Sequence, residues 1–519
     1  MPVPSNDKLR VYSRYAAHCL ELATVTKDEE PRAALRQRTK DDQFYFQKSG
    51  IYVFLISFAC VYYLVNAPLL LSHYDLGWHI AAGDLIREQG NIPFQDPWSF
   101  TSGGRQWINL SWLWDAIASV IFQHANFSGL ILFVVACGAV IAGYLTSVCL
   151  RSGASAIAVC ISVLSACLLY PAFAAAYPNV YLAASPNIST MLFSVIFYGE
   201  CLKRTRRVFL LPAIMILWAN LHGGFLLGLL IVGIFFGVAL LRRDWVSFKI
   251  YGFVGVGCFI ATFINPLGWH IYEGSTTTLG HFAQAYITEW WPYYRNIAMP
   301  GSIPGIIYIL IFVALELRYR GSCPIEARLL SWLFLFLGLY QFRYMSFFFI
   351  FSTVPLALHL DRLLPELPDN FRVQRSLLAA GIIATCALPL IYMQTVPALG
   401  FPQVLSEQDV LYLQTNLPHA RLLNHWNYGG ILIFRTRGAI PVFVDGRAAT
   451  VYPDALLRDY FKLVQLEINE SAWDTVLEKY QIDTVLWVEA HEELRRFLVG
   501  KRGWKEAYAG SYASIYVRP

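Results

Sequence analysis

Along most of this chain apolar residues fall in long blocks separated by short polar segments, not in strand-like alternation. Blocks recur near residues 51–72, 127–150, 154–176, 186–202, 208–221, 223–241, 248–267, 303–318, 326–341, 343–360 and 376–397. A helix needs about 20 residues to cross the hydrocarbon of a bilayer, so the pattern predicts a polytopic α-helical membrane protein with about 11 spans. Beyond residue 399 the pattern changes. Strand-like runs (ILIF at 431–434, PVFVD at 441–445, TVLWV at 484–488, ASIYV at 513–517) alternate with helical ones at Asp454–Leu466, Trp473–Tyr480 and Ala490–Val499. That alternation predicts a small α/β module. Residues 1–49 are polar and basic, and their apolar positions suit two short amphipathic helices around a Lys-Asp-Glu-Glu-Pro turn. The chain thus divides into a helical tail (1–49), a transmembrane domain (50–399) with a loop at 73–126, and an α/β domain (400–519).

Charge orients these elements. The N-terminal tail, Arg151, Lys203–Arg207, Arg242-Arg243, Arg318–Arg328 and Arg362–Arg375 fall on one side when the spans are taken alternately. The positive-inside rule makes that side the cytoplasm and puts 73–126, 177–185, 268–302 and 398–519 outside. Counting Leu110–Gln123 as a span would export the Lys203–Arg207 cluster, so that stretch reads as an interfacial helix. With 56% hydrophobic and 14% charged residues the composition excludes an ordinary soluble enzyme. The net charge of +5 is dispersed in short clusters, which gives no basic face for nucleic acid. No cysteine falls in a segment expected outside, which predicts no disulfides. The first apolar run follows about fifty polar residues, so no cleavable signal peptide is expected.

Candidate chemistry concentrates just after the first span. Asp75, His79, Asp84 and Asp96 stand among Trp78, Trp98, Trp107, Trp112 and Trp114, and acids at a membrane edge are costly unless they are used. Asp75 and His79 share one face of a helical turn. The tryptophans suit headgroup level. Asp84 beside Arg87 has the spacing of a solvated pair. Asp96 precedes Pro97, where holding the loop competes with a contact to acceptor or metal. Asn220 and His222 lie in an irregular Asn-Leu-His-Gly-Gly break between apolar runs, and such backbone is tolerated where it lines a wet cavity or turns tightly. Arg343 opens an apolar run, where its planar fork suits a lipid phosphate or simply snorkels. Glu289 is an external acid near His281 and Arg295. Asp445-Gly446-Arg447 reads as a turn held by an Asp–Arg pair. The chain has no P-loop, GxSxG, HExxH or paired CxxC, which leaves ATP hydrolysis, serine hydrolysis and thiolate metal chemistry without support.

Residues 75–114, with D-x-x-W-H, G-x-I-P-x-x-D-P-W-S-F-T and G-x-x-W, resemble the first external loop of bacterial GT-C-type membrane glycosyltransferases, relatives of protein mannosyltransferases and aminoarabinose transferases. WANLHGGFLLGL (218–229), FINPLGWHIY (263–272), ITEWWP (287–292), FRYMSFF (342–348), NHWNYGGILIF (424–434) and PVFVDGR (441–447) extend the likeness to the C-terminus. The resemblance implies an enzyme that moves a hexosyl or pentosyl unit from a polyprenyl-phosphate carrier to a glycan, lipid or protein acceptor, with inversion. Its place would be the external face of a bacterial inner membrane, the N-terminus cytoplasmic and the C-terminal domain periplasmic. It implies Asp75 as base, with His79 and Asp96 in catalysis. Arg343, Glu289, His222, Asn220 and Trp107 would bind substrate. A divalent metal is compatible with the resemblance but has no assigned ligands. Two departures stand out: relatives often carry His-Glu where this chain has Leu110-Ser111, and Arg-Pro where it has Ser185-Pro186. They favour, as alternative, a non-catalytic GT-C-like scaffold or lipid-binding component of an envelope polysaccharide system. A transporter is the other alternative, but the chain lacks two matching halves with interrupted helices.

Overall fold

The computed structural model describes residues 50–64, 71, 73–176, 183–277, 281–297, 302–363, 405–463, 469–488 and 492–519. The long apolar blocks are helices: α1 (Gly50–Leu64), α2 (Leu76–Gln89), α3 (Trp112–Arg151), α4 (Ala156–Ala176), α5 (Asn187–Lys203), α6 (Leu211–Leu221), α7 (Leu226–Leu241) and α8 (Trp245–Ala261). After α9 (His270–Thr277) come α10 (Ser302–Tyr319), α11 (Ile325–Tyr340) and α12 (Met345–Leu363). Side chains along almost the whole of α12 are buried, so it forms the middle of the bundle. Large apolar side chains such as Phe253, Val256, Ile260, Leu310 and Phe336 instead point outward, as lipid-facing residues do.

Three helices among the described residues are long and apolar enough to cross a membrane by length and composition: Trp112–Arg151, Gly223–Leu241 and Phe342–Leu363. The expected eleven spans are therefore met only in part. Several runs form shorter helices, 11 residues in α6, 16 in α11 and 17 in α8. Turns of 3₁₀ helix take up residues at their ends, as at Arg206–Leu210 and Phe342–Tyr344. The run at 376–397 and the tail 1–49 lie outside the described residues. Within α3 the backbone breaks at Asn126 (φ 50°, ψ −150°), which separates the stretch read as interfacial from the span that follows it.

The C-terminal part holds α13 (Glu407–Asn416), α14 (Trp426–Thr436), α15 (Asp454–Leu463) and α16 (Glu470–Lys479) around a four-stranded sheet. Its strands are β1 (Leu422–Asn424), β2 (Thr484–Val488), β3 (Lys505–Ala509) and β4 (Ala513–Val517), in the order β1-β2-β4-β3. β1 and β2 are parallel and the other pairs antiparallel. Two of the expected strands are strands, TVLWV and ASIYV. ILIF is not: it lies in α14, whose N-cap His425 accepts the Asn427 N–H, and Ile431, Leu432 and Ile433 are buried. A short apolar run carries no period by which helix and strand can be told apart. PVFVD pairs only at Val442, which bridges Ser99 and Leu422.

That bridge exposes the main architectural fact. The loop at 73–126 belongs to the C-terminal core: Trp78, Ala82, Trp98 and Trp107 are buried in one apolar cluster with Leu422, Val442, Phe443 and Tyr460. Three of the tryptophans of this loop are thus packed inside that cluster. Trp114 packs in the helix-bundle core, and Trp112 donates to Asn220 Oδ1 at 3.0 Å.

Candidate active site

Asp75 flanks the N-terminus of α2, the position at which aspartate usually caps a helix. Its backbone is already helical (φ −80°, ψ −15°) and its carboxylate makes no cap hydrogen bond. His73 Nδ1 lies 3.9 Å from Oδ2, but that nitrogen accepts the Asp75 backbone N–H at 3.2 Å. The carboxylate rests on Gly446, where a Cβ would overlap Oδ1. α2 is brought this close by glycine: a Cβ on Gly77 would strike the Gly430 carbonyl in α14, and one on Gly83 the Asp115 carbonyl in α3.

The turn carrying Gly446 is fixed by Arg447. Its guanidinium, wholly buried, bonds Asp445 at 2.6 Å and Asp96 at 2.7 Å, and lies 5.0 Å from the Trp98 and Trp107 rings. Tyr452 donates to Asp445 at 2.6 Å. Asp96 also accepts the backbone N–H groups of Trp98 (3.1 Å) and Ser99 (3.3 Å). Both of its oxygens are thus engaged. The Arg447 contact ties the loop at 73–126 to the C-terminal turn, the other bonds lie within the loop, and Asp96 does not line the cavity described next.

Asp75 opens onto a cavity of about 1150 Å³ between the helix bundle and the C-terminal part. His79, Trp107, His222, Glu289 and Arg343 line it as well. Arg343 sits in the 3₁₀ turn before α12, held over the Trp290 ring at 4.1 Å and 3.5 Å from Glu289. It faces the cavity and does not snorkel along the outside. Burial pushes the Glu289 carboxyl up, the Arg343 guanidinium pulls it back, and the Asp75 charge raises it further; the net direction is up. From Arg343 an apolar wall continues along Leu226, Leu227 and Leu230 of α7, Phe334 and Leu337 of α11, and Phe347 of α12.

Asn220, like Asp96, does not line the cavity. Its amide donates to the Ile216 and Ile264 carbonyls and accepts from Trp112, all outside the cavity wall. It anchors the break in which His222 stands. Trp107 lines the cavity, but with 1% of its surface exposed it serves chiefly as packing.

Sequence reasoning missed Asp115 and Asn109. Asp115 Oδ1 lies 2.6 Å from His79 Nδ1, and Asn109 Nδ2 donates to its Oδ2 at 2.7 Å. An acid in the apolar stretch of α3 was the available signal. It stands four residues after Ser111, in the first turn of α3. Among the described residues no group of three or more His, Cys, Asp or Glu side chains is placed to hold a metal ion. Of the two acids that line the cavity, Asp75 and Glu289, the second is engaged by Arg343.

No family model matches the chain, and no curated protein matches it in sequence. Solved structures do. The fold is similar to the oligosaccharyltransferase AglB from Archaeoglobus fulgidus in complex with an inhibitory peptide and a dolichol-phosphate. That likeness has a TM-score of 0.54 and 12% identity, over 88% of this chain and 71% of that one. The Archaeoglobus fulgidus oligosaccharyltransferase in complex with Zn and sulfate is similar at a TM-score of 0.53 and 13% identity, over 89% and 72%. At such identities the likeness is one of fold: the chain shares the fold of these oligosaccharyltransferase structures.

Proposed function

We propose that this cavity moves a sugar from a polyprenyl-phosphate carrier to an acceptor hydroxyl, with Asp75 as the base. One observation carries the reading: a carboxylate unused by its own helix shares a cavity with a guanidinium, and an apolar wall leads away from that guanidinium. These are the parts the chemistry needs. The acceptor hydroxyl gives its proton to Asp75 while its oxygen bonds the anomeric carbon. The carbon–oxygen bond to the carrier breaks on the opposite face, and its electron pair leaves with the phosphate toward Arg343. The prenyl chain lies along α7 and α11. The neighbour that binds a dolichol-phosphate and a peptide supports a lipid-linked donor and a separate acceptor here.

In this reading the chain crosses a bacterial inner membrane about eleven times, with residues 1–49 cytoplasmic and 400–519 a periplasmic domain that closes the cavity. The acceptor is a glycan, lipid or protein, and the sugar a hexose or pentose. Asp115, one turn past Ser111, supplies a buried acid on the face that the scaffold alternative takes to have lost one.

The test is transfer by the full chain in proteoliposomes, from a panel of polyprenyl-phosphate-linked hexoses and pentoses. Asp75→Asn keeps the side chain's shape but cannot take the proton, so turnover should fall roughly a hundredfold to ten-thousandfold while carrier binding stays. Undiminished turnover in Asp75→Asn excludes the base role. No transfer by the wild-type protein with any donor favours the scaffold alternative.

A further inference from the structure

Two imidazoles line the cavity, and their buried partners assign them opposite roles. At His222 the Gly224 backbone N–H donates to Nδ1 at 3.2 Å. A backbone N–H can only donate, so Nδ1 is an acceptor and the ring proton sits on Nε2. The Thr190 hydroxyl lies 2.6 Å from the same nitrogen, and its own oxygen accepts the Trp218 indole N–H at 3.0 Å, which leaves the hydroxyl proton for His222. Burial, with the positive charge of Arg343 adding to it, pushes His222 down to about 3, so the ring stays neutral across the ordinary pH range.

His79 is set the other way. The Ser111 backbone N–H donates to Asn109 Oδ1 at 3.1 Å, which fixes that amide and turns its N–H₂ group to Asp115 Oδ2. Asp115 Oδ1 then accepts from His79 Nδ1 at 2.6 Å, leaving Nε2 as a lone pair. Neither Nε2 bonds a partner among the described residues. Both rings line the same cavity.

We propose that His79 and His222 form a hydroxyl-recognition site, in which His79 Nε2 accepts the hydroxyl proton and His222 Nε2–H donates to the hydroxyl oxygen. A hydroxyl is the small group that donates and accepts at once, so the pair selects a sugar or acceptor hydroxyl over an ether or a deoxy position. Asp115 is a positioning residue that acts through His79. The inference rests on the glycosyl-transfer reading of the cavity, and it specifies which part of a sugar-bearing substrate is read there.

The experiment is ¹⁵N NMR of the full chain in nanodiscs with labelled histidine, first alone and then titrated with methyl glycosides of glucose, mannose, galactose and arabinose. His222 should show one neutral tautomer, protonated on Nε2, and His79 one protonated on Nδ1 that becomes a mixture in Asp115→Asn. Both signals should move on one saturation curve with at least one glycoside. The response should be lost in His222→Leu and restored in His222→Gln, whose terminal amide still presents an N–H. A proton on Nδ1 of His222, a His79 tautomer indifferent to Asp115→Asn, or signals that move separately or with no glycoside would each overturn the pair. Failure of polyprenyl phosphate to bind, with tautomers and glycoside response as described, would fault the carrier reading alone.

Discussion

Arg343 stands where a carboxylate and an anionic ligand compete for one guanidinium. Removing it takes away a charge-assisted contact, so Arg343→Ala should weaken binding of a polyprenyl-phosphate analogue by about 1.5–3 kcal/mol. Equal affinity in the variant, measured by titration in nanodiscs, would show that the phosphate binds elsewhere. Glu289 adds a pH dependence whose sign follows from its raised pKa. As pH falls, Glu289 gains its proton earlier than an ordinary glutamate, gives up its hold on Arg343, and frees it for the ligand. Affinity for a phosphodiester analogue, which keeps one charge throughout, should therefore rise from about pH 8 to 4.5. In Glu289→Gln it should be high and nearly flat. Asp75, Glu289, His222 and Arg343 were legible in the sequence because ionisable residues beside apolar spans are expensive and conspicuous. Asp115 was not, because its use depends on how closely α2 approaches α3, and that approach is set by Gly83. Asp96, a conspicuous acid in the strongest motif, is bonded to Arg447 and does not line the cavity.

At the level of elements, the site is assembled by α2, which touches α3 through Gly83 and α14 through Gly77 and brings Asp75 onto the 445–447 turn. Gly446→Ala should move the Asp75 carboxylate, since the new methyl occupies the space of Oδ1. Turnover should drop close to the level of Asp75→Asn while the melting temperature changes little, and retained turnover would detach the turn from the chemistry. Asp96→Ala removes one of the two carboxylates on Arg447 and should destabilise the protein by about 1.5–3 kcal/mol in thermal unfolding. Its effect on turnover should be smaller than that of Asp75→Asn. Element types were readable wherever apolar blocks were long, and at TVLWV and ASIYV, whose edges are well marked. ILIF failed because four apolar residues of a helix, three of them buried, look like four residues of an inner strand. The strands at 422–424 and 505–509 gave little signal, the first being only three residues long and the second half-exposed with a charged start.

For the whole molecule, two cores meet at the cavity: a helix bundle below, and the C-terminal sheet joined by the loop at 73–126 above. This union was invisible in sequence, since Ser99 and Val442 lie far apart along the chain and pair through a single bridge. Reporter fusions at Arg206 and Pro402 should fall on opposite sides of the membrane, the second outside. A cytoplasmic signal at Pro402 would put the carboxylate and the carrier on the wrong face. The most direct test of the account is cryo-electron microscopy of the full chain in nanodiscs with bound polyprenyl phosphate. The account predicts phosphate density within hydrogen-bond reach of Arg343, inside the cavity that holds Asp75, and prenyl density along Leu226, Leu230 and Phe334. Phosphate bound on the outer surface of the bundle, with the cavity unoccupied by carrier, would contradict it.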